Sequence, residues 1–272
     1  MSDTATVSAL FYYPVKSTRG IATERARLVP TGFAWDRQWM VVDQAGRFLT
    51  QRTHPHMARI VPKLSEGALT LKHPELLELH VPQELPGEPL TVRIWDDVCE
   101  AIGQGREADA WLTRALGEPV HLVRARPRMR AASARFAGAT PAPIAFPDGY
   151  PILVVNSASL ADLNTRLPQP MPMERFRPNL VLEGLPPWAE DRIAAITVGA
   201  VTLRLVKPCL RCSIPTLDHL TGEPAFNVLR VLQGFRFNRA LHGVMFGENA
   251  VIEHGAGEEL HQGDTARVTW DA

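Results

Sequence analysis

Cysteine is scarce. Three residues, Cys99, Cys209 and Cys212, are spread over 272 positions, too few and odd in number for a disulfide framework. A reducing compartment is therefore the expected setting. Neither sign of charge is in excess, because 29 Lys and Arg balance 29 Asp and Glu. Bulk electrostatics offers nothing to a nucleic acid, and any anion site must come from local clustering. Long apolar runs are missing as well: no stretch approaches the roughly 18 residues that span a bilayer. The opening MSDTATVSALFYYPVKS lacks the basic-then-apolar order of a secretory signal. A cytoplasmic location is the expectation. Also absent are a Walker loop, a G-x-G-x-x-G opening a helix and a G-x-S-x-G elbow, which leaves nucleoside triphosphate, nicotinamide and serine-hydrolase chemistry unsupported.

Proline and glycine, at 23 and 19 residues, are plentiful and scattered. That punctuation suits many short strands joined by turns. Val7–Tyr13 is β-prone and ends at Pro14, and Gln38–Asp43 reads as a strand returning through Gln44-Ala45-Gly46 into RFLT as a hairpin. Shorter strands are expected at Leu69–Lys72, Glu78–Val81, Thr91–Trp95 and Val120–Arg124. Arg106–Leu116 instead places Ala108, Trp111, Leu112 and Ala115 at helical spacing before Gly117. The stretch from Arg124 to Ala145, opening with RARPRMR and reaching Pro141 and Pro143, reads as a loop with a solvated basic run.

The second half starts with a strand at Pro151–Val155 and a helix through SASLADLNTRL, with Asn156 or Ser157 placed to cap it. Strands follow at Asn179–Glu183, Ile193–Val198, Val201–Val206, Gly243–Ile252 and Thr265–Trp270, with a helix over Ala225–Arg236. The fold class is mostly β with a few helices, in two β-dominated domains divided near residue 123.

The densest chemistry lies at Lys207-Pro208-Cys209-Leu210-Arg211-Cys212-Ser213. Lys207 and Arg211 favour a thiolate nearby, the form that attacks or binds metal. A structural zinc site needs about four ligands and only Cys99 remains to join the pair. A thioredoxin-like dithiol expects a strand feeding a helix, whereas this segment reads as a strand running into a loop. Two buried, inert cysteines remain an equal alternative. Lys16-Ser17, Asp36-Arg37 and Thr50-Gln51-Arg52 sit at strand ends, where Arg forks and hydroxyls suit a phosphate or serve only as surface. Arg177 and Asn179 of Phe176-Arg177-Pro178-Asn179 hold a ligand or organise a turn. Asp148 and Asp218 are acid or base candidates, and His54-Pro55-His56 fits no metal motif.

YPVKS, WDRQWMVVD, FLTQR, DGYPILVVNSASLADLN, RFRPNLVLEG and KPCLRCSIPTLD occur in that order, spanning nearly the whole chain from Val7 to Trp270. The sequence resembles the MOSC-domain proteins, the molybdenum cofactor sulfurase C-terminal superfamily, and within it the mitochondrial amidoxime-reducing component and its bacterial relatives. The resemblance implies an N-terminal MOSC β-barrel domain over residues 1–123, packed against a MOSC β-barrel domain over 124–272, with a molybdenum–pterin cofactor between them. It implies that Cys212 ligates the metal and that Lys16, Ser17 and Arg37 hold the pterin phosphate. It makes Arg177, Asn179 and Arg211 further cofactor contacts, with Thr50 and Arg52 near the same pocket. It sets Asp148 near the metal, so that Cys212, Asp148 and Arg211 form the catalytic group.

The implied reaction is the two-electron reduction of N-hydroxylated compounds: hydroxylamines, amidoximes and N-hydroxylated bases. Some bacterial relatives carry a C-terminal ferredoxin-like domain with four iron–sulfur cysteines, and the mitochondrial proteins have an N-terminal membrane anchor. This chain shows neither pattern, so electrons are expected from a separate protein such as a ferredoxin, a flavoprotein reductase or a cytochrome. The runner-up is a sulfur carrier or sulfurtransferase holding a persulfide on Cys212 or Cys209, and a third class is a non-enzymatic cofactor carrier. Pyridoxal phosphate is disfavoured, because Lys16, the one candidate for a Schiff base, suits a phosphate contact better. Nothing points to an obligate interface, which leaves a monomer as the default.

Overall fold

The computed structural model describes residues 3–127, 130–138 and 142–271. Among these, seven strands close into a barrel. In hydrogen-bonded order they are Ile152–Asn156, Leu180–Glu183, Thr4–Tyr12, Thr265–Trp270, Ile193–Val198, Val201–Leu210 and Gly243–His254, which returns to Ile152–Asn156. Closure removes the unpaired edges that an open sheet would expose. One neighbouring pair, Ile152–Asn156 with Leu180–Glu183, is parallel. A parallel pair needs a long crossover, and the helix Ser157–Asn164 with the 3-10 turn Met173–Phe176 supplies it. Asn156 caps that helix by accepting from the Ala158 N–H. Val7, Leu10, Leu182, Ile196, Leu203, Ala250 and Val268 form the barrel core, each at most 4% exposed.

The first strand pairs on both sides with segments from the far end of the chain, Leu180–Glu183 and Thr265–Trp270. The barrel's hydrogen bonding therefore crosses the sequence division near residue 123. Beyond Tyr12 the chain enters a separate four-stranded sheet ordered Trp39–Asp43, Val120–Ala125, Asp97–Gly103, Pro89–Ile94, accompanied by the meander Val61–Ser65, Ala68–His73, Leu76–Pro82. The helix Arg106–Leu116 lays Ala108 and Leu112 onto Trp39, Val41, Leu71 and Leu122. Gly117, left-handed at φ 79°, ends it by donating to Thr113 O.

Three local expectations change. RFLT returns beside Trp39–Asp43 through isolated contacts (Phe48 with Val42, Leu49 N–H to Val41 O) rather than as a continuous strand, because Arg47 and Phe48 also turn to meet Arg93. The helix over 225–236 shrinks to Val228–Gln233, since the Asn227 side chain caps the Arg230 N–H and Gly234 follows. Within 124–145, a bridge between Arg130–Ala131 and Pro143–Ile144 and a short helix Ala134–Ala137 organise what reads in sequence as loop. Arg130 is only 7% exposed rather than solvated. Arg128, Met129 and Pro141 of that stretch lie outside the described residues.

Candidate functional site

Strand ends from both parts of the molecule meet around a cleft of about 600 Å³. Lys16 and Ser17 enter it where the chain leaves the barrel, with the Lys16 N–H pinned to Trp39 O. Arg37 enters just before Trp39, its N–H donating to Tyr13 O. Asp148 comes from the turn before Ile152, and Arg177 and Asn179 from the approach to Leu180. Cys209, Arg211 and Cys212 come from the end of Val201–Leu210. Nine of the ten residues that the resemblance assigns to the site line this cleft, Thr50 being the exception, and the acid or base candidate Asp218 does not line it. Thr50 is buried and accepts the Arg52 N–H with its hydroxyl, so it shapes the turn that presents Arg52.

Seven basic side chains, those of Lys16, Arg37, Arg52, Arg130, Arg177, Lys207 and Arg211, line the cleft against three carboxylates, Asp96, Asp97 and Asp148. Arg37 and Arg177 stack on the buried Tyr13 ring with guanidinium carbons 4.3 and 4.2 Å from its centre. Arg37 is fixed by Asp36 at 2.6 Å and by Asn179 Oδ1 at 3.2 Å. Asn179 is itself committed to the fold, accepting from the Leu153 N–H and donating to Phe11 O. Arg177 gives Nη1 to Thr18 O at 2.7 Å, whereas its Nη2 is buried without a partner among the described residues. Burial draws its pKa down to about 10. A buried, unpaired N–H of a charged group costs on the order of 1–3 kcal/mol or more, so this donor is prepared for an anionic acceptor.

Lys16 Nζ donates to Phe146 O at 2.9 Å and ion-pairs with Asp148. Burial draws the lysine's pKa down, with Asp148 opposing. Burial would push the Asp148 carboxyl up, but the charge and hydrogen bond of Lys16, with Arg52 and the Trp95 indole, hold it well below the usual carboxylate range. Arg211 gives Nη1 to Cys209 Sγ at 3.0 Å and Nη2 to Phe176 O at 2.8 Å. Burial pushes the Cys209 thiol up, and Arg211 partly offsets it. No cluster of three or more His, Cys, Asp or Glu among the described residues is arranged to hold a bare metal ion. A metal held by Cys212 must therefore bring other ligands with it.

Ser17, Arg37, Trp95 and Arg177 all adopt left-handed backbone, at φ 66°, 48°, 53° and 56°. Each such residue costs on the order of 1–2 kcal/mol, and strain of this kind collects where a site is held against local preference. Sequence reasoning missed Arg130 and Trp95. Arg130 Nε binds Asp97 at 2.7 Å and its Nη1 binds Ala145 O and Pro147 O, fastening the segment that carries Asp148. Its only sequence signal was the basic run, which carries no mark of which arginine turns inward.

Comparison with known proteins agrees along the whole chain. Residues 4–119 match the MOSC N-terminal beta barrel domain and residues 141–267 the MOSC domain. Mitochondrial amidoxime-reducing component 1 of Homo sapiens is 31% identical over 271 residues, covering 93% of this chain and 80% of that protein. Mitochondrial amidoxime reducing component 2 of Homo sapiens is 32% identical over 232 residues, covering 82% and 69%. The molybdenum cofactor sulfurase of Danio rerio is 28% identical over 263 residues, covering 89% of this chain but 32% of that longer protein. No helix among the described residues is long and apolar enough to cross a membrane. With both domain models matched in order and the amidoxime-reducing relatives aligned over most of their own length, the chain belongs to the family that joins a MOSC N-terminal beta barrel domain to a MOSC domain.

Proposed function

We propose that this protein is a molybdenum-cofactor-dependent reductase of N-hydroxylated compounds that receives electrons from a separate protein. The observation that carries the reading is the convergence of buried basic groups, with an unpartnered Arg177 Nη2, on a cleft that also holds Cys212. A phosphate- and dithiolene-bearing group needs such cations, and thiophilic molybdenum suits a thiolate ligand.

Lys16, Ser17, Arg37 and Arg177 would hold the anionic part of the cofactor, and Cys212 would ligate its metal. Among the described residues the Ser17 carbonyl accepts from Gln51 Nε2 while its hydroxyl makes no hydrogen bond, which leaves the hydroxyl for a ligand. Bound there, the cofactor supplies the two-electron reducing chemistry, while the protein supplies position and field. The net reaction consumes two electrons and two protons, replaces N–OH by N–H and releases water. Asp148, ionised well below neutrality, serves as a hydrogen-bond acceptor that orients the substrate's N–H or O–H. Arg211 brings positive charge next to Cys212 in the chain while its fork anchors Cys209 and Phe176. Arg52 steadies Asp148 from the other side, Oδ2 at 3.6 Å. Lys16 Nζ, tied to Phe146 O and Asp148, is poorly suited to a pyridoxal Schiff base.

The test is molybdenum per chain, with reduction of benzamidoxime by a chemical donor, for wild type and Cys212→Ala from a host that makes the cofactor. Metal near one per chain, with metal or turnover lost in the variant, is expected. Molybdenum-free, correctly folded wild type would sink the reading. A second reading, a sulfur carrier, draws on the Arg211–Cys209 contact, which offsets part of the burial that opposes anionic sulfur at Cys209; intact-protein mass spectrometry would then find a persulfide sulfur on Cys209 or Cys212. The electron donor, whether ferredoxin, flavoprotein reductase or cytochrome, and a cytoplasmic location belong to the same proposal.

A further inference from the structure

The hairpin of Pro89–Ile94 and Asp97–Gly103 ends in a tip built against local preference. Asp97 pairs with Ile94, leaving Trp95 and Asp96 as the turn. Two-residue turns with positive φ favour glycine, asparagine or aspartate, yet a tryptophan occupies this one at φ 53°. The residue is also 49% exposed, so its size is not explained by burial in the core.

Other groups hold the ring in place. Arg52 lies against it with the guanidinium carbon 4.6 Å from the ring centre, and Phe48 meets it at 5.1 Å and 62°. The indole N–H reaches Asp148 Oδ1 at 3.3 Å. Trp95, Asp96 and Asp97 all line the cleft that contains Cys212. Asp97 is taken up by Arg130, whereas Asp96 has no ion pair among the described residues. An aromatic face fixed at one side of a cleft, with a carboxylate next to it, has the chemistry to take a flat N–C–N group. The group stacks on the indole, and the carboxylate accepts its N–H donors.

We propose that Trp95 and Asp96 form a specificity platform on which planar, conjugated N–C–N substrates and products stack, in preference to small hydroxylamines. This rests on the reductase reading for the identity of the substrate, but the stacking itself does not require turnover. Arg52 presets the ring's orientation, and the Trp95–Asp148 hydrogen bond ties the platform to the site's acceptor carboxylate.

The experiment is calorimetric titration of benzamidine into wild type, Trp95→Ala, Trp95→Phe and Asp96→Asn, with molybdenum per chain measured on each. Trp95→Ala should weaken benzamidine by about tenfold, in the range expected for a ring-face contact. Trp95→Phe should retain most of the affinity and Asp96→Asn should fall between. In turnover, the preference in kcat/KM for benzamidoxime over hydroxylamine should shrink about tenfold in Trp95→Ala. Unchanged benzamidine affinity in Trp95→Ala would overturn the platform. So would loss of molybdenum from Trp95→Phe, which would make the ring a wall for the cofactor instead. Should wild type carry no molybdenum, the reductase reading falls, and the benzamidine titration still decides the platform.

Discussion

Two groups of carboxylates in this molecule have pKa values displaced in opposite directions. In the cleft, Asp148 is held ionised although burial opposes it, because Lys16, Arg52 and the Trp95 indole surround it. Glu190, in the 3-10 turn Ala189–Arg192, and Glu248, on the strand Gly243–His254, are 0% and 5% exposed, and among the described residues each has an Oε1 without a partner. Burial, reinforced for Glu248 by Asp191 and Glu190, pushes their pKa values up to about 7 and about 9. Arg236 offsets this only in part, and it is itself committed to Asp191 through two hydrogen bonds. Burial therefore does not decide protonation; the partners brought into the buried space do. The cleft is a paired ionic site that keeps spare donors, whereas Glu190 and Glu248 are desolvated acids whose protonated forms burial favours.

The most damaging change should be in the paired region. Asp36 is 1% exposed at its side chain and accepts both the Tyr13 N–H and Arg37 Nη1. Asp36→Ala leaves Arg37 as a buried charge without its ion-pair partner and should cost about 3–5 kcal/mol in denaturant unfolding. A loss below about 1 kcal/mol would show that the ionic cleft does not depend on its pairs. Ser159→Ala comes next. Its hydroxyl donates to Glu190 Oε2 and accepts the Trp188 N–H, both at 2.7 Å. Unfolding measurements should register a loss of about 1–3 kcal/mol.

The pH dependence separates the two regions further. A carboxyl whose folded pKa exceeds its unfolded value of 4.5 keeps its proton longer when folded. Its stabilisation is full at low pH and is lost as pH rises through the folded values, about 7 for Glu190 and about 9 for Glu248. Asp148 has the reverse sign, with its contribution present above the unfolded pKa and lost as pH falls. Glu248→Gln should flatten the alkaline decline in Tm and leave the acid decline in place. At pH 9 a gain of about 2–4 °C corresponds to roughly 1 kcal/mol for a domain of this size. An unaltered alkaline slope would remove Glu248 as its source. The smallest effect should come from Lys72→Ala, which breaks an exposed pair with Glu78. A change within about 0.5 kcal/mol is expected there, against which the buried effects can be measured.

Much of the architecture was legible because it is local. Ile193–Val198 and Thr265–Trp270 were expected as strands and form them, and helical spacing with a following glycine marked Arg106–Leu116. Asn156 could be read as a cap from its place before an apolar periodic run. Lys16, Arg37, Arg177, Asp148 and the two cysteines were legible as motif fragments at strand ends, and all line one cleft. Trp95 looked like the last residue of a strand, since no local rule expects a tryptophan in a left-handed turn. Arg130 looked solvated because the sequence gives no sign of the carbonyls of Ala145 and Pro147 that receive it. Nothing in the sequence singled out Glu190 or Glu248, for the same reason.

By itself, then, the amino-acid sequence determined the β-rich class, the positions of most strands and which residue types are available for anion and metal chemistry. These follow from side-chain alternation, turn chemistry and ligand softness, all properties of neighbours along the chain. Tertiary structure alone decided that Thr4–Tyr12 completes a barrel made otherwise from the second half, since closing a sheet depends on which distant edges meet. It also decided which carboxylates keep their charge. That outcome depends on which cations and dipoles the fold carries to within a few ångströms of a desolvated oxygen, and spacing along the chain does not encode it.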